Sequence, residues 1–516
     1  MRSMNKRILA LVLTLLLLVP SFTCAEEDEE KILNIAIAGA VQNLDPYLLN
    51  TMNANYALNQ IGDTLVRMNA DGTVRPYLAT EWTISEDGTE YIFTIRDDVY
   101  FHPGKFQDGR LMTAEDVAWC LNRCRDNYTG YMNMLEVAEA IDNTHVKCTL
   151  YAPSSLFLLN LRQNLCVIVP PEEVEGQGDA FNSNVIATGP FMLVSHDPDV
   201  KTVMVANPNY WGGKPNVDKI VISVIPDINQ RVFALMSGEI DIAGTITGEA
   251  IRTLDQSENC ATDKQLTPNI STIGMNTSNE ILSDERVREA IIMATDYDVL
   301  FQGTYLYGEA DPTRVLVPQS SWCYSDALLD YIPEYDPAAA KELLAEAGYP
   351  NGFSITLSMT QSETLTRAAT IFQQLMKQNL NIDVQLEYLE SASRIEKMID
   401  GSIEMWMVVQ YYENDPANFY GLSFASSQLG SNYNAWKFSD PEVDTLIEQA
   451  GQESDQDVRL QLYDQIAEIV LPQDMGIWFA TEASVVGYNK CVEGFGIESA
   501  GGLYVCDDHF NFSVAR

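Results

Sequence analysis

The sequence predicts an α/β protein of two or three domains. The first observation is length, because 516 residues exceed what a single hydrophobic core usually holds. The second is a strand-helix-strand unit within residues 207–243, in which the apolar run Ile220–Ile225 precedes a helix and a second short strand. The third is the regular alternation of strands and helices between residues 353 and 470, which is typical of an α/β domain.

The helix of this strand-helix-strand unit has recognisable start and stop signals. Asn229 is its predicted N-cap, Val232, Phe233 and Met236 follow at helical spacing, and Gly238 is placed to end it. Two parallel strands joined in this way require a right-handed crossover and a larger sheet around them. The unit therefore predicts part of a parallel sheet covered by helices.

Further elements follow in order along the chain. Period-two alternation and apolar runs bounded by turn residues predict strands at residues 32–38, 91–96, 220–225, 269–276, 353–357, 382–388, 404–409 and 484–489. Helical spacing with N-caps predicts helices at residues 284–294, 337–347, 364–378, 392–399, 441–451 and 455–470. Residues 253–268 are polar and acidic, and we expect a loosely structured connection there.

The composition excludes some partners. The chain carries 73 acidic and 31 basic residues, which gives a net charge of −42. Such a surface repels nucleic acid and anionic lipid, so we expect neither as a partner. The acidity is interpreted as a means of keeping a secreted protein soluble.

Residues 1–25 are typical of an export signal. Basic residues near the start are followed by the apolar run Ile8–Val19, which is too short to cross a bilayer comfortably. Two processing routes remain open: cleavage near Ala25, which releases a soluble protein, or attachment of lipid to Cys24. Either route places the protein outside the cytoplasm, in the periplasm or on the outer face of the cell membrane.

Eight cysteines follow the signal, and an exported protein is free to oxidise them. Cys120 and Cys124 are four residues apart on an expected helix, but no second Cys or His pair lies near to complete a metal site. We interpret them as buried thiols. Cys491 and Cys506 either pair across neighbouring strands or remain thiols, and the sequence leaves both alternatives open.

The sequence contains no catalytic motif of the common kinds. HExxH, GxSxG and a glycine-rich phosphate loop are absent, and the histidines, at positions 102, 145, 196 and 509, are scattered. We therefore expect no catalytic residue, no metal ligand and no cofactor, and we interpret His102 as a structural hydrogen-bonding residue. The alternatives left open are a secreted hydrolase with paired carboxylates and a carrier of haem or a chelated metal.

Several segments resemble the family-5 solute-binding proteins of bacterial ABC importers, the peptide- and nickel-binding group. They include the turn Asn-Pro-Asn-Tyr-Trp-Gly-Gly, the strand ending in Ile-Pro-Asp, the Gly-Glu-Ile-Asp-Ile-Ala close, and the Tyr-Asp-Pro to Ala-Gly-Tyr signature. In this sequence they occupy residues 207–213, 220–227, 238–243 and 335–349. The resemblance implies a periplasmic-binding-protein type II fold, with two hinged α/β lobes and a hairpin-rich insertion domain.

The resemblance also implies the domain boundaries. The first lobe would comprise residues 26–46, 184–268 and 487–516, interrupted by the insertion domain at residues 47–183, with the second lobe at residues 269–486. Strands near 269–276 and 484–489 would cross between the lobes. By hinge closure such a protein captures a peptide or similar small solute, without chemistry, and delivers it to a membrane permease. We expect a monomer.

The resemblance further implies which residues line the ligand cleft. They follow the Leu-Asp-Pro turn, the strand at 404–409 and the Ser-Asn-Tyr segment: Asn50, Thr51, Met52, Tyr411, Tyr412, Glu413, Asp415, Asn432, Tyr433 and Asn434. The family's peptide binders usually place an Asp where this chain has Tyr412, to meet the ammonium of the peptide. The Arg that some dipeptide binders use for the peptide carboxylate would fall near Met359. We therefore expect both charged anchors to be absent, with Glu413 or Asp415 as candidates to replace the first.

Overall fold

The computed structural model describes residues 30–48, 52–69, 73–127, 131–412, 415–497 and 502–515. The expected export signal and Cys24 lie outside the described residues.

The strands are β1 Ile32–Ile37, β2 Val66–Met68, β3 Val74–Pro76, β4 Ala79–Ile84, β5 Glu90–Ile95, β6 Leu135–Ala140, β7 His145–Leu150, β8 Phe191–Asp197, β9 Lys201–Ala206, β10 Lys219–Val224, β11 Ile242–Ala243, β12 Cys260–Met275, β13 Ala310–Pro312, β14 Ser354–Met359, β15 Asp383–Tyr388, β16 Met405–Gln410, β17 Gly476–Asn489, β18 Val492–Glu493 and β19 Ser513–Val514.

The helices are α1 Met52–Ile61, α2 Ala114–Asn127, α3 Phe157–Asn160, α4 Pro171–Gln177, α5 Ile228–Ser237, α6 Glu249–Asp255, α7 Glu285–Met293, α8 Tyr297–Thr304, α9 Pro337–Glu346, α10 Glu363–Leu380, α11 Ser391–Asp400, α12 Pro416–Phe424, α13 Pro441–Gln452 and α14 Gln456–Val470.

A mixed sheet runs through both halves of the molecule. Within the described residues it has 11 strands, in the order β15-β14-β16-β12-β17-β11-β1-β10-β9-β8, with β13 paired to β17. Strand β1 pairs in parallel with β10 on one side and with β11 on the other. The α/β class expected from the sequence is thereby confirmed, and most element bounds differ from the expected ones by only a residue or two.

The helix of the strand-helix-strand unit begins earlier than the sequence suggested. Its N-cap is Asp227, whose carboxylate accepts a hydrogen bond from the Gln230 backbone N–H at 2.9 Å, and the expectation for Asn229 is wrong. The Asp227 carboxylate satisfies a backbone N–H that has no partner within the first turn, so the helix starts directly after Asp227. Gly238 ends the helix as expected, with a left-handed φ of 77° that glycine adopts without strain.

Two long antiparallel strands, β12 and β17, connect the two halves of the sheet. At one end β17 pairs with β11, and at the other end β12 pairs with β16. Their mutual pairing extends from Cys260 and Asn489 to Gly274 and Gly476, with a register shift between Leu266 and Ile270. We call β12 and β17 the hinge strands. They are longer than expected, because polar residues within 260–268 still form the backbone ladder while their side chains remain partly exposed.

The hydrophobic core is divided between the two halves. One cluster joins residues of β1, α1 and β10 to the antiparallel sheet β4-β5-β7-β6 and to buried residues near the C-terminus. A second cluster spans residues 270–480 and contains Trp406, Trp436 and Trp478, whose neighbouring ring centroids are 5.0 and 6.0 Å apart. A third, smaller cluster lies under α5 and α6. The exact domain boundaries remain a prediction.

The described helices include none that is both long and apolar enough to cross a membrane. Cys120 and Cys124 lie on α2 and are buried, and Cys120 Sγ is 3.3 Å from the Val169 carbonyl oxygen. His102 is also buried, with Nε2 at 2.8 Å from the Gly189 carbonyl oxygen. Burial lowers the pKa of His102 to about 4, so its ring is neutral at physiological pH.

Candidate functional site

Three elements of the second half of the chain meet at one edge of the sheet. Strands β14 and β16 are parallel, with Met359 opposite Met407, so their carboxyl ends lie on the same side. Ligands of open α/β sheets bind beyond such carboxyl ends. Strand β16 also pairs with β12, which brings a hinge strand to this edge.

Strand register identifies the residues of this edge. Ile270 of β12 lies opposite Gln410 of β16 on one side and Thr481 of β17 on the other. Tyr411 and Glu482 follow Gln410 and Thr481, so both lie beside the same part of β12, two strand spacings or about 10 Å apart. We call this region the cleft edge; it consists of Asn269, Ile270, Gln361, Ser362, Gln410, Tyr411, Thr481 and Glu482.

Tyr411 is the most exposed aromatic residue that we predicted for the ligand cleft among those described. It directly follows β16, and 66% of its surface is accessible. Partial burial raises the pKa of its hydroxyl, and the negative charge of Glu482 raises it further. An open aromatic ring at the carboxyl end of a strand is suited to packing against a ligand.

Tyr412 is buried in the protein, unlike its neighbour. Its hydroxyl shares a hydrogen bond of 2.7 Å with the Ser423 hydroxyl, and its ring packs edge-on against Phe419 at a centroid distance of 6.0 Å. Burial raises the pKa of Tyr412 well above its usual value. These contacts attach the end of β16 to α12.

Asp415 is engaged by the protein. It is the N-cap of α12, accepting a hydrogen bond from the Ala417 backbone N–H at 2.9 Å. Its carboxylate also pairs with Arg459 at 2.5 Å, and both side chains are 8% exposed. The Arg459 guanidinium lies over the ring of Trp322 at 5.1 Å. The carboxylate of Asp415 is thus neutralised within the fold. Glu413 lies outside the described residues.

The Ser-Asn-Tyr segment contains one buried residue and two partly exposed ones. Asn434 is fully buried: its amide nitrogen donates to the carbonyl oxygens of Ala425 and Phe438 at 3.1 and 2.9 Å, and its oxygen accepts from the Phe438 N–H at 3.1 Å. Asn432 and Tyr433 are partly exposed, and the Tyr433 ring is 6.3 Å from that of Tyr412. The hydrogen bonds of Asn434 therefore fix a turn that leaves Asn432 and Tyr433 partly exposed.

The remaining expected cleft residues precede or begin the first helix. Asn50 and Thr51 lie outside the described residues, and Met52 is the first residue of α1. Strand register thus brings Tyr411 to the cleft edge, while Tyr412, Asp415 and Asn434 lie in the packed structure behind it.

Sequence reasoning missed Glu482. This partly buried residue of β17 accepts a hydrogen bond from the Tyr305 hydroxyl at 2.9 Å, and that hydroxyl is 2.5 Å from the Ser271 hydroxyl. Burial raises the pKa of Glu482, hydrogen bonding to Tyr305 lowers it, and the charge of Glu309 raises it again. A single Glu in an alternating strand gives no local signal, because its partners lie far away in the sequence.

A cavity of about 800 Å³ opens beside the same edge, at the start of α10. Its lining contains one arginine among otherwise neutral or acidic residues: Gln361, Ser362, Glu363, Thr366, Arg367, Thr370, Ile371 and Gln374. Arg367 Nε donates to the Thr304 carbonyl oxygen at 3.0 Å, and Nη1 lies 3.3 Å from Glu363. The cavity therefore lies next to the Tyr305 side of the cleft edge.

The two halves of the molecule also meet away from the hinge strands. The Ser155 backbone N–H donates to the Gly451 carbonyl oxygen at 2.9 Å, which joins the region before α3 to α13. This contact and the hinge strands are two separate connections between the two halves of the molecule.

Comparisons with known proteins identify the family. A sequence profile described as bacterial extracellular solute-binding proteins, family 5 Middle, matches residues 73–431. The chain is similar to heme-binding protein A of Haemophilus influenzae, with 28% identity over 477 residues that cover 86% of this chain and 85% of the relative. It is 27% identical over 513 residues to the dipeptide-binding protein of Escherichia coli, covering 93% of this chain and 95% of the relative.

The fold is shared with a solved structure. HbpA2 from Haemophilus parasuis superimposes with a TM-score of 0.85 at 27% identity, over 94% of this chain and 99% of that one. This likeness confirms the periplasmic-binding-protein type II fold with two α/β lobes. Since the profile also spans more than half of the sequence, the chain belongs to the bacterial extracellular solute-binding proteins of family 5.

Proposed function

We propose that the protein captures a peptide at the cleft edge by hinge closure and delivers it unaltered to the permease of an ABC importer. The observation that carries this proposal is the pair of hinge strands, which run through both halves of the sheet and change register where they pass the cleft edge. A ligand held there contacts both lobes, and its differential affinity for the closed form drives closure.

The chemistry of the cleft edge favours a peptide over haem, although relatives of both kinds exist. Tyr411 offers an aromatic surface, and Glu482 offers a carboxylate without a salt bridge among the described residues. A negative charge attracts the ammonium of a peptide and repels the propionates of haem. The dipeptide-binding relative from Escherichia coli supports the same choice.

We assign the expected cleft residues to two roles. Those proposed to contact the ligand are Asn50, Thr51, Met52, Tyr411, Glu413, Asn432 and Tyr433. Tyr412, Asp415 and Asn434 instead hold the loops that carry them, since their polar groups are bonded within the protein. The lobes that close on the ligand comprise residues 26–268 with 487–516, and residues 269–486.

Calorimetry with a panel of di-, tri- and tetrapeptides, and absorbance titration with haemin, test the proposal. We expect saturable peptide binding, a smaller radius of gyration by X-ray scattering when peptide is bound, and unchanged peptide by mass spectrometry after incubation. Binding of haemin alone would overturn the peptide assignment. Appearance of cleaved peptide would instead support the hydrolase alternative.

We also propose that residues 1–25 direct export, with cleavage near Ala25 or a lipid on Cys24. Family members are extracellular proteins, which supports the placement. The intact mass of the protein from its native host distinguishes the routes, because a diacylated Cys24 adds a large apolar mass to the chain. A mass that includes residues 1–23 would contradict both.

A further inference from the structure

We propose that Glu482 is the residue that binds the positively charged group of the ligand, the α-ammonium of a peptide. This inference rests on the proposed function and names the anchor of the same site. The family's peptide binders usually bind the ammonium through an Asp in the loop after β16, whereas here the carboxylate belongs to a hinge strand.

The position of Glu482 supports this role. It lies in β17 next to the register shift of the hinge strands, where Thr481 pairs with Ile270 and Ala483 pairs with Leu266. The cation of a ligand bound there would contact the strand on which the two lobes turn. Tyr411, two strands away, is near enough for the charge of Glu482 to influence its hydroxyl.

The surroundings of Glu482 orient its carboxylate but do not neutralise it. The hydroxyls of Tyr305 and Ser271 form a hydrogen-bonded chain with it. In the part of the chain that the structure describes, no arginine or lysine pairs with Glu482, and the neighbouring charge that raises its pKa, that of Glu309, is also negative. A desolvated carboxylate without a counter-charge is costly, and a ligand cation removes that cost.

Three buried carboxylates of this protein, unlike the partly buried Glu482, each have an arginine partner. Asp45 pairs with an arginine at 2.9 Å, Asp116 at 2.6 Å and Asp415 at 2.5 Å. Glu482 lacks such a partner although it lies at the edge where ligands are expected. A ligand cation would give Glu482 the counter-charge that these three carboxylates receive from arginine.

The loop after β16 does not supply this charge at the expected position. Tyr412 occupies it, and its hydroxyl is bonded to Ser423 inside the protein. The carboxylate of Glu482 approaches the same edge from β17, on the other side of β12. A ligand cation at the cleft edge would therefore meet a carboxylate from β17 and not one from the loop after β16.

The test combines Glu482→Gln with peptides whose amine is free or N-acetylated. Gln keeps a side-chain oxygen for the Tyr305 hydroxyl and removes only the charge. Calorimetry is run with the tightest-binding peptide of the panel in both forms, and circular dichroism with thermal melting confirms that each variant is folded. We expect the wild type to prefer the free amine and E482Q to bind it about 30-fold more weakly, with no change for the acetylated form.

Glu309→Gln is the matched control, because it removes a nearby carboxylate whose oxygen accepts from the Tyr307 N–H at 2.9 Å. We expect E309Q to keep the preference for the free amine. If E482Q retains that preference, or if both variants lose it equally, the assignment of Glu482 is overturned while peptide capture stands. If the wild type binds no peptide of the panel, the proposed function fails and the inference fails with it.

Discussion

Two carboxylates near the cleft edge, Asp415 and Glu482, have opposite surroundings. Asp415 caps α12 and pairs with Arg459, so its charge is balanced inside the fold. Glu482 is held by the hydroxyl of Tyr305, and the described residues give it no cationic partner. The difference separates a carboxylate whose charge is balanced within the fold from the one that we propose for the ligand.

The largest expected effect comes from breaking the balanced pair. Arg459→Met leaves the Asp415 charge buried without compensation, which should lower the free energy of unfolding by about 3–5 kcal/mol. Urea denaturation measures this loss. Arg286→Met is the control, because Arg286 pairs with Asp284 with 46% and 30% of the side chains exposed, and it should cost less than about 1 kcal/mol. Equal losses would mean that Asp415 is not a buried structural charge.

A smaller loss is expected when the turn behind the cleft edge is damaged. Asn434→Leu leaves the carbonyl oxygens of Ala425 and Phe438 without their bonds, at a cost of about 2–3 kcal/mol in unfolding free energy. Asn432→Leu, at a partly exposed neighbour, should change stability by less than about 0.5 kcal/mol. If both variants lose a similar amount of unfolding free energy, Asn432 is also a buried structural residue.

Asp474 sharpens the comparison, because it is a buried carboxylate outside the cleft edge. Burial raises its pKa most, and the negative charges of Glu289 and Glu285 raise it further. The positive charge of Arg288 lowers the pKa in part, and the resulting value is about 7. A carboxyl whose pKa is raised by folding binds its proton more tightly in the folded state. Stability is therefore lost as the pH rises from about 4 towards 7.

Asp474→Asn should remove this loss. We expect the variant to be more stable than wild type by about 2–4 kcal/mol at pH 8 and equal to it near pH 4, as measured by denaturation at both pH values. Asn also tolerates the left-handed φ of 52° at this position. Peptide affinity should not change, and a loss of affinity would contradict the distinction between Asp474 and Glu482.

The smallest effects separate the two neighbouring tyrosines. Tyr411→Ala should weaken peptide binding about 5-fold, through loss of roughly 1 kcal/mol of aromatic contact, and leave stability unchanged. Tyr412→Phe should do the reverse, lowering unfolding free energy by about 1 kcal/mol through the lost bond to Ser423. Calorimetry measures the peptide affinity of both variants, and denaturation measures their unfolding free energy. An affinity loss confined to Tyr412→Phe would mean that Tyr412, and not Tyr411, contacts the ligand.

Much of the fold could be predicted from local signals. Asp336 and Pro337 begin α9 as expected, with the Asp336 carboxylate accepting from the Ala338 and Ala339 N–H groups. Such caps act over a few residues, so the sequence displays them directly. The full length of the hinge strands could not be read in this way, because polar residues in a ladder resemble a loop.

The distinction between ligand and structural residues depends on distant contacts. Arg459 is 44 residues from Asp415, and Tyr305 is 177 residues from Glu482. No pattern within either segment shows which carboxylate has a cation beside it. The position of Tyr411 at the sheet edge could be predicted because it directly follows a buried strand, whereas the position of Glu482 required the strand order.

The route of the chain through the first lobe affects the order in which that lobe can be completed. The side-chain amide of Gln60 donates to the Leu503 carbonyl oxygen at 2.7 Å and accepts from the Val505 N–H at 2.9 Å, and Leu503 lies 443 positions later. During synthesis the partners of Gln60 do not exist until 443 further residues have been added to the chain. A nascent chain that has not reached Val505 therefore leaves the Gln60 amide unpaired, which delays completion of this part of the fold until that segment has been made.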